Sequence, residues 1–195
     1  MSEPSHSIHG PHQGQPLLAA GEPLDRARAA MIMVHGRGAS AESILDLAIE
    51  LNQSGWAYLA PQAAGDTWYP YRHVAQAGIP QERTMLLGFS QGACLNLEFV
   101  ARNARSYGGV AGLSGGLIGP DGTPRDYPGS LAGTPVFLCC SDVDFHVPKE
   151  RVQLTAEVLQ RLGGKVTMRL YPGMGHTVNQ DEIDFVRGMM ATLVV

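Results

Sequence analysis

The sequence predicts an α/β fold built on a mainly parallel sheet that helices cover on both faces. Short apolar runs alternate along the chain with segments whose apolar residues recur at helical spacing. The runs are too continuously apolar to leave one face in water, which is typical of parallel strands covered on both sides. Strands that alternate with helical crossovers form such a sheet. The predicted strands lie near residues 30–34, 56–60, 84–89, 110–114, 135–140 and 165–171.

Helices are predicted near residues 41–54, 91–101, 149–162 and 180–193. The first has Ser40 as its candidate N-cap and Gly55 as the residue that ends it. The last has Asn179 as its candidate N-cap, and Asp181 and Glu182 suit the positive end of the helix dipole. The apolar face of this last helix is formed by Ile183, Val186, Met190 and Leu193.

The composition predicts one globular domain over residues 16–195 behind a flexible leader, residues 1–15, because 44% of the 195 residues are hydrophobic and only 16% are charged. The formal net charge of −4 and the lack of a Lys/Arg cluster argue against a nucleic-acid partner. No apolar run is long enough to span a membrane and the N-terminus lacks a signal-peptide pattern, so the cytoplasm is the expected location. The sequence leaves open whether the chain forms a homodimer.

Cysteine and histidine usage predicts neither a disulfide framework nor a metal site. The three cysteines include the adjacent Cys139 and Cys140 inside an apolar run, which favours buried free thiols. His6, His9 and His12 have side chains that bind metals, but their place in a Pro- and Gly-rich leader favours a disordered tail. We therefore expect no metal and no other cofactor.

The most informative stretch is Gly-Phe-Ser-Gln-Gly at residues 88–92, which directly follows a predicted strand. A Gly-x-Ser-x-Gly turn between a strand and a helix exposes a strained, activated serine, and the small flanking residues relieve the crowding around it. The pattern indicates a hydrolase with Ser90 as its nucleophile. Because the same pentapeptide arises by chance in Gly-rich chains, the prediction depends on partner residues elsewhere.

Candidates for a base and an acid follow later strands, at the edge of the sheet where catalytic groups gather in such folds. His176 follows the strand near 165–171 through a glycine loop, and Asp142 and Asp144 follow the strand near 135–140. The alternatives without a catalytic role are a surface histidine and an aspartate that caps the helix beginning near Pro148. The order Ser, Asp, His along the chain is that of the α/β-hydrolases.

A second glycine-containing loop, His35-Gly36-Arg37-Gly38, directly follows the first predicted strand. It resembles the segment that supplies an oxyanion donor in α/β-hydrolases, so the backbone N–H groups of Arg37 and Gln91 are the candidate oxyanion hole. A plain glycine turn is the alternative. His35 itself is expected to be a structural hydrogen-bonding residue, since the serine needs only one base.

Several segments together resemble the phospholipase/carboxylesterase family, which includes the acyl-protein thioesterases, over nearly the whole chain. These segments are HGRGAS (35–40), APQ (60–62), WYP (68–70), GFSQGA (88–93), LSGG (113–116), DFHVP (144–148) and GH (175–176). The resemblance implies a compact α/β-hydrolase fold with little or no cap domain. It also implies cleavage of carboxylic esters or thioesters without a cofactor.

The resemblance further implies a role for each residue of a catalytic triad. Ser90 is then the nucleophile, His176 the base and Asp144 the acid that orients the base. The family's aspartate stands four residues before the proline of an Asp-x-x-Val-Pro pattern, which selects Asp144 over Asp142.

Other positions bear on the substrate. Trp68 and Tyr69 match a loop beside the family's substrate pocket. Ser141 stands where the family often has a glycine, at the start of the loop that carries the aspartate. Arg37 replaces a frequent leucine of the thioesterases and puts a cation near the pocket mouth, which disfavours a long-acyl substrate. We expect a serine carboxylesterase acting on small-to-medium esters. The alternatives are an acyl-protein thioesterase or lysophospholipase and, less favoured, a non-catalytic ligand-binding protein of the same fold.

The connection over residues 61–83 lacks the amphipathic helix that the family usually has. Proline and glycine interrupt it, and residues 75–80 resemble the end of a helix whose body is missing. Without such a helix, one face of the sheet would lose its cover and expose an apolar patch that is unusual for a soluble monomer. We therefore expect further residues between Arg72 and His73 in the protein as made, with a genuine deletion as the alternative.

Overall fold

The computed structural model describes residues 14–36, 38–63 and 77–193. The strands in this part of the chain are β1 (Leu17–Gly21), β2 (Ala29–Val34), β3 (Trp56–Pro61), β4 (Thr84–Phe89), β5 (Gly109–Leu113), β6 (Pro135–Ser141) and β7 (Lys165–Tyr171). The α-helices are α1 (Ala41–Leu51), α2 (Gln91–Arg102), α3 (Lys149–Arg161) and α4 (Gln180–Ala191). A single 3₁₀ turn, Gln81–Arg83, leads into β4.

The strands form one sheet in the order β1-β3-β2-β4-β5-β6-β7. All neighbouring pairs are parallel except β1 and β3, which run antiparallel with Leu17 opposite Pro61 and Gly21 opposite Ala57. The predicted mainly parallel sheet is confirmed, and each predicted strand is present within one residue of its expected ends. The sequence analysis missed β1, a five-residue strand at the edge of the sheet.

Helices cover both faces of the sheet, as predicted. On one face α1 and α4 contribute Leu51 and Met190 to a cluster that includes Phe137 of β6. On the other face α2 and α3 contribute Leu97 and Leu159 to a second cluster. Because β2 and β5 are buried along their whole length, the sheet is the centre of the core.

The predicted caps of the first and last helices are confirmed. The Ser40 hydroxyl accepts a hydrogen bond from the Ser43 backbone N–H, and the Asn179 side chain accepts one from Glu182 N–H, each within a reciprocal capping box. Of the four residues predicted to form the apolar face of the last helix, Val186 and Met190 are buried in the core cluster, and Ile183 and Leu193 are partly buried and pack against it. The prediction for the end of α1 was wrong, because this helix ends at Leu51 and Gly55 instead forms the turn into β3 with a φ of 83°.

The face of the sheet beside the 61–83 connection is buried where the structure describes it. Ile32, Val34 and Leu59 are at most 5% exposed. Side chains that pack against this part of the sheet include Leu17, Leu24, Ala27 and Leu95, which belong to β1, to the β1–β2 connection and to α2. The sequence analysis did not foresee the cover that β1 and the chain after it contribute. The position between Arg72 and His73 lies outside the described residues.

Two further expectations concern the cysteines and the membrane. Cys139 and Cys140 are buried free thiols, as predicted, whereas Cys94 is half-buried. Among the helices of the described ranges, none is both long and apolar enough to cross a bilayer.

Candidate active site

Ser90 occupies a strained turn between β4 and α2. Its φ of 55° and ψ of −122° are a combination that residues with a Cβ rarely adopt. The Ser90 backbone N–H donates to the Leu113 carbonyl at 2.9 Å, and the Ser90 carbonyl accepts from the Cys94 N–H at 3.0 Å. The end of β5 and the first turn of α2 therefore hold the strained serine from both sides.

The two glycines of the motif are required by close backbone contacts. A Cβ atom at Gly92 would overlap with the carbonyl oxygen of Val34, and one at Gly88 would overlap with the Gly92 carbonyl group. A Cβ atom at Gly36 would lie 3.6 Å from the Cβ of Ser90, so the loop after β2 runs directly beside the serine turn. The two glycine-containing loops that the sequence analysis singled out are therefore neighbours in space.

His176 and Asp144 make a short hydrogen bond at this edge of the sheet. The His176 Nδ1 lies 2.6 Å from Asp144 Oδ2, and the Asp144 side chain is fully buried while that of His176 is 20% exposed. Because a carboxylate only accepts, Nδ1 carries the proton and donates it. Nε2 is then the nitrogen with a free lone pair.

The second carboxylate oxygen of Asp144 also accepts hydrogen bonds. Its Oδ1 accepts hydrogen bonds from the backbone N–H groups of His146 at 2.8 Å and Val147 at 3.1 Å. Burial alone would raise the pKa of Asp144, but the hydrogen bonds from His176, His146 and Val147 together hold this pKa below its ordinary value. Asp144 is therefore ionised at neutral pH, inside a set of donors that fixes its orientation.

The two aspartates that the sequence offered as candidates make different contacts in the structure. Asp142 accepts a hydrogen bond from the Gly173 backbone N–H at 2.8 Å and so ties down the loop that leads to His176. Asp144 contacts His176 itself. Neither aspartate caps α3, whose N-cap is Pro148 without a side-chain hydrogen bond.

Two rings pack against His176. The Phe89 ring, one residue before Ser90, lies 4.9 Å from the His176 ring between centroids, and the His146 ring lies 4.7 Å away. The contact with Phe89 places His176 beside the serine turn, so the ends of β4, β6 and β7 contribute to one site. The sequence analysis missed His146, which it treated only as a spacer within the Asp-x-x-Val-Pro pattern.

Two side chains at the end of β6 support the loop that carries Asp144, residues 142–147, which we call the acid loop. The sequence analysis predicted neither of these contacts. The fully buried Ser141 accepts a hydrogen bond from the Val143 N–H through its hydroxyl, so a residue that replaces a frequent glycine stabilises this loop. The Cys140 thiol donates to the Val147 carbonyl at 3.3 Å and lies 3.7 Å from Asp144 Oδ2. Burial, together with the charge of Asp144, raises the pKa of Cys140 to about 12, so this thiol is a neutral packing group.

The candidate oxyanion hole and substrate pocket are described only in part. Gln91 is the first residue of α2, where backbone N–H groups have no partner within the helix. His35, expected to be structural, is fully buried and its Nδ1 lies 2.8 Å from the Gly36 carbonyl oxygen. Arg37, Trp68 and Tyr69 lie outside the described residues, as do His6, His9 and His12 of the leader.

An open cleft of about 540 Å³ lies away from this edge, between α4 and the strands β6 and β7. It is lined in part by Arg169, Asp181 and Phe185, and none of the candidate triad residues contacts it. Across residues 14–36, 38–63 and 77–193, no three His, Cys, Asp or Glu side chains are grouped in a way that would hold a metal ion.

Comparison with known proteins identifies related sequences. The family model described as Phospholipase/Carboxylesterase matches residues 71–194. Acyl-protein thioesterase 1 of Gibberella zeae is 36% identical over 119 residues, which are 58% of this chain and 49% of that protein. A probable carboxylesterase of Oryza sativa subsp. japonica is 35% identical over 107 residues, or 54% of this chain and 40% of that protein. The chain thus spans about half the length of the curated relatives it matches, or less.

Solved structures match over a larger share. A phospholipase/carboxylesterase from Dyadobacter fermentans superposes with a TM-score of 0.84 at 36% identity, covering 91% of this chain and 96% of the other. Esterase PE8 superposes with a TM-score of 0.75 at 22% identity over 92% of this chain and 98% of the other, a likeness of fold alone. Both superpositions agree with an α/β-hydrolase fold for the described chain.

Proposed function

Because this chain belongs to the phospholipase/carboxylesterase family, we propose that it hydrolyses carboxylic esters through a triad of Ser90, His176 and Asp144. The observation that carries the proposal is the 2.6 Å contact between His176 Nδ1 and a fully buried Asp144 beside a strained serine turn. A serine, a histidine and an aspartate in this relation are the parts of a nucleophilic acyl-transfer site.

The reaction proceeds in two steps. His176 accepts the Ser90 proton at Nε2 while the Ser90 oxygen attacks the carbonyl carbon of the ester. The resulting oxyanion is held by the backbone N–H groups of Gln91 and Arg37, and the alcohol leaves with the proton from His176. Water then attacks the acyl-enzyme by the same route, which releases the acid and restores the serine.

Asp144 acts through His176. Its hydrogen bond to Nδ1 selects the tautomer whose Nε2 accepts a proton, and its negative charge stabilises the imidazolium that forms during each step. The backbone N–H groups of His146 and Val147 keep this carboxylate ionised and fixed. The buried position strengthens its effect, since the charge is not screened by water.

For the substrate we propose a small-to-medium carboxylic ester, with Trp68 and Tyr69 beside the acyl group. Arg37, in place of the leucine frequent in the thioesterases, introduces a cation that disfavours a long acyl chain. A thioester of an acylated protein is the second candidate, because a relative 36% identical is named an acyl-protein thioesterase. A non-catalytic ligand-binding protein would need neither the strained serine turn nor the buried acid behind the histidine.

The test is covalent labelling with a fluorophosphonate, followed by hydrolysis of p-nitrophenyl acetate, p-nitrophenyl octanoate and a palmitoylated peptide. The wild-type protein should be labelled, and Ser90→Ala should lose labelling together with about 10⁴ to 10⁶-fold in kcat. Ser114→Ala is the matched control, because Ser114 also has a positive φ after a neighbouring strand but is fully buried. Labelling that persists in Ser90→Ala would reject the nucleophile, and preference for the palmitoylated peptide would favour the thioesterase.

A further inference from the structure

His146 contacts the candidate base through its ring, but the proposed mechanism gives its side chain no role. It belongs to the acid loop, and it is exposed. Its ring centroid lies 4.7 Å from that of His176, and the two ring planes are inclined by 53°. The exposed ring lies outside the core and does not line the α4 cleft.

One hydrogen bond cannot fix an imidazole completely. The bond from Nδ1 to Asp144 restrains the position of His176, yet the ring can still turn about the axis that joins the two atoms. Such a turn would swing Nε2 away from the Ser90 oxygen. Reacting groups must be aligned within a fraction of an ångström, so a residual rotation of this kind slows the proton transfer.

Ring contacts supply the missing restraint. Phe89 packs against the His176 ring at 4.9 Å with an inclination of 40°, and His146 packs against it at 4.7 Å. Tilted rings at such distances attract each other beyond the burial of their area. Because Phe89 precedes Ser90 directly and the His146 backbone N–H donates to Asp144, the imidazole is held between the serine turn and the acid loop.

We propose that His146 is a positioning residue that holds the plane of His176 through its ring. The inference rests on the proposed hydrolase function of the same site. Within the described ranges the ring nitrogens of His146 have no hydrogen-bond partner, whereas its backbone N–H donates to Asp144 Oδ1. The main chain of His146 therefore fixes the acid while its side chain fixes the base.

The experiment compares three variants of the full chain on a short p-nitrophenyl ester at pH 8. His146→Ala removes the ring, His146→Phe keeps a ring without nitrogens, and Phe145→Ala removes the neighbouring ring, which is 97% exposed. The measurements are kcat, KM, the rate constant of inactivation by a fluorophosphonate and the melting temperature. Fluorophosphonate inactivation reports activation of Ser90 without the later attack of water.

We expect His146→Ala to lower kcat and the inactivation rate constant by about 2- to 10-fold, the range that loss of an aromatic contact gives. KM should change by less than about twofold, because the ring aligns the base and does not bind the ester. His146→Phe should restore both rates to within about twofold of wild type, and Phe145→Ala should have wild-type rates. The melting temperatures should agree, since the substituted side chains are exposed.

Four results would overturn the proposal. Wild-type rates in His146→Ala would remove the ring contact from the mechanism, and equal losses in the alanine and phenylalanine variants would assign the effect to a ring nitrogen. A rise in KM at constant kcat would make His146 a substrate contact. A wild-type protein that reacts with neither ester nor fluorophosphonate would reject the hydrolase function, and this inference with it.

Discussion

Two regions of this protein pair an acidic with a basic side chain at close range, and they differ in almost every other respect. At the candidate active site, Asp144 and His176 lie 2.6 Å apart with the carboxylate fully buried. In the α4 cleft, Asp181 and Arg169 lie 2.5 Å apart with side chains 56% and 38% exposed. The cleft is an open cavity of about 540 Å³, and its charged side chains are the more exposed of the two pairs.

The cleft nevertheless lacks what acyl transfer requires. Its guanidinium stacks on the Phe185 ring at 4.6 Å, and its carboxylate accepts a second hydrogen bond from the Tyr171 hydroxyl. Both charges are thus already partnered, and solvent screens them. Neither a strained nucleophile nor a glycine-enforced close approach of the backbone occurs among its lining residues.

The candidate active site combines backbone strain, tight packing and a buried charge. Gly88 and Gly92 allow backbone contacts that any side chain would block, and these contacts hold Ser90 in its unusual conformation. The two regions therefore differ in burial and backbone strain, although each pairs an acidic with a basic side chain. Removal of the negative charge should lower kcat strongly at Asp144 and hardly at all at Asp181.

The largest effect should come from removing the buried charge. Asp144→Asn should lower kcat by about 10³ to 10⁴-fold, because an asparagine amide donates to Nδ1 and so selects the wrong tautomer of His176. Steady-state hydrolysis of a short ester measures this loss. Asp142→Asn is the matched control and should cost less than about tenfold, since its contact is with the Gly173 backbone N–H. Reversed effects would make Asp142 the catalytic acid.

The same substitution in the two regions should have opposite effects on stability. Gly92→Ala places a methyl group against the Val34 carbonyl oxygen, so it should lower the free energy of unfolding by about 1 to 3 kcal/mol and reduce activity. Gly188→Ala, in α4 at the cleft, meets nothing within 4 Å and should raise stability by about 0.5 to 1 kcal/mol. Urea unfolding of both variants measures the difference. A neutral Gly92→Ala would contradict the close packing behind the serine.

Most of the fold was predictable because its signals are local. Continuous apolar runs marked the parallel strands, and Ser40 and Asn179 marked helix starts through caps that involve only nearby residues. The strand β1 was missed since its pairing with β3 joins segments about 40 residues apart, and nothing in its five residues specifies that partner.

The prediction of the candidate site rested on signals of the same local kind. The Gly-x-Ser-x-Gly turn is contained in five residues, and the chain order of the aspartate and histidine followed from strand ends. The contact between His146 and His176 depends on how two loops 30 residues apart approach each other, and no sequence pattern encodes it. The support from the Ser141 hydroxyl was missed for the same reason, because it depends on the path of the loop after β6.

A smaller effect should appear in the pH dependence of stability. Because the folded-state pKa of Asp144 is lowered, its stabilising contribution is complete above the unfolded carboxyl value of about 3.9 and is lost as pH falls through the folded pKa. Wild type should exceed Asp144→Asn by about 1 kcal/mol near pH 6, and this margin should vanish in strong acid. Urea titrations between pH 6 and the acid limit measure it. A margin that grows on acidification would contradict the direction of the shift.

The smallest effect is expected in the α4 cleft. Asp181→Asn removes the charge that faces Arg169 but keeps an oxygen that accepts from the Tyr171 hydroxyl. Since both side chains are substantially exposed, water replaces the lost ion pair, and the melting temperature should shift by less than about 3 °C. The kcat and KM for a short ester should stay within about twofold of wild type, because the cleft contacts none of the triad residues. Differential scanning calorimetry and ester kinetics on the same preparation measure both quantities. A loss of activity comparable to that of Asp144→Asn would show that the exposed pair, and not burial and backbone strain alone, contributes to catalysis.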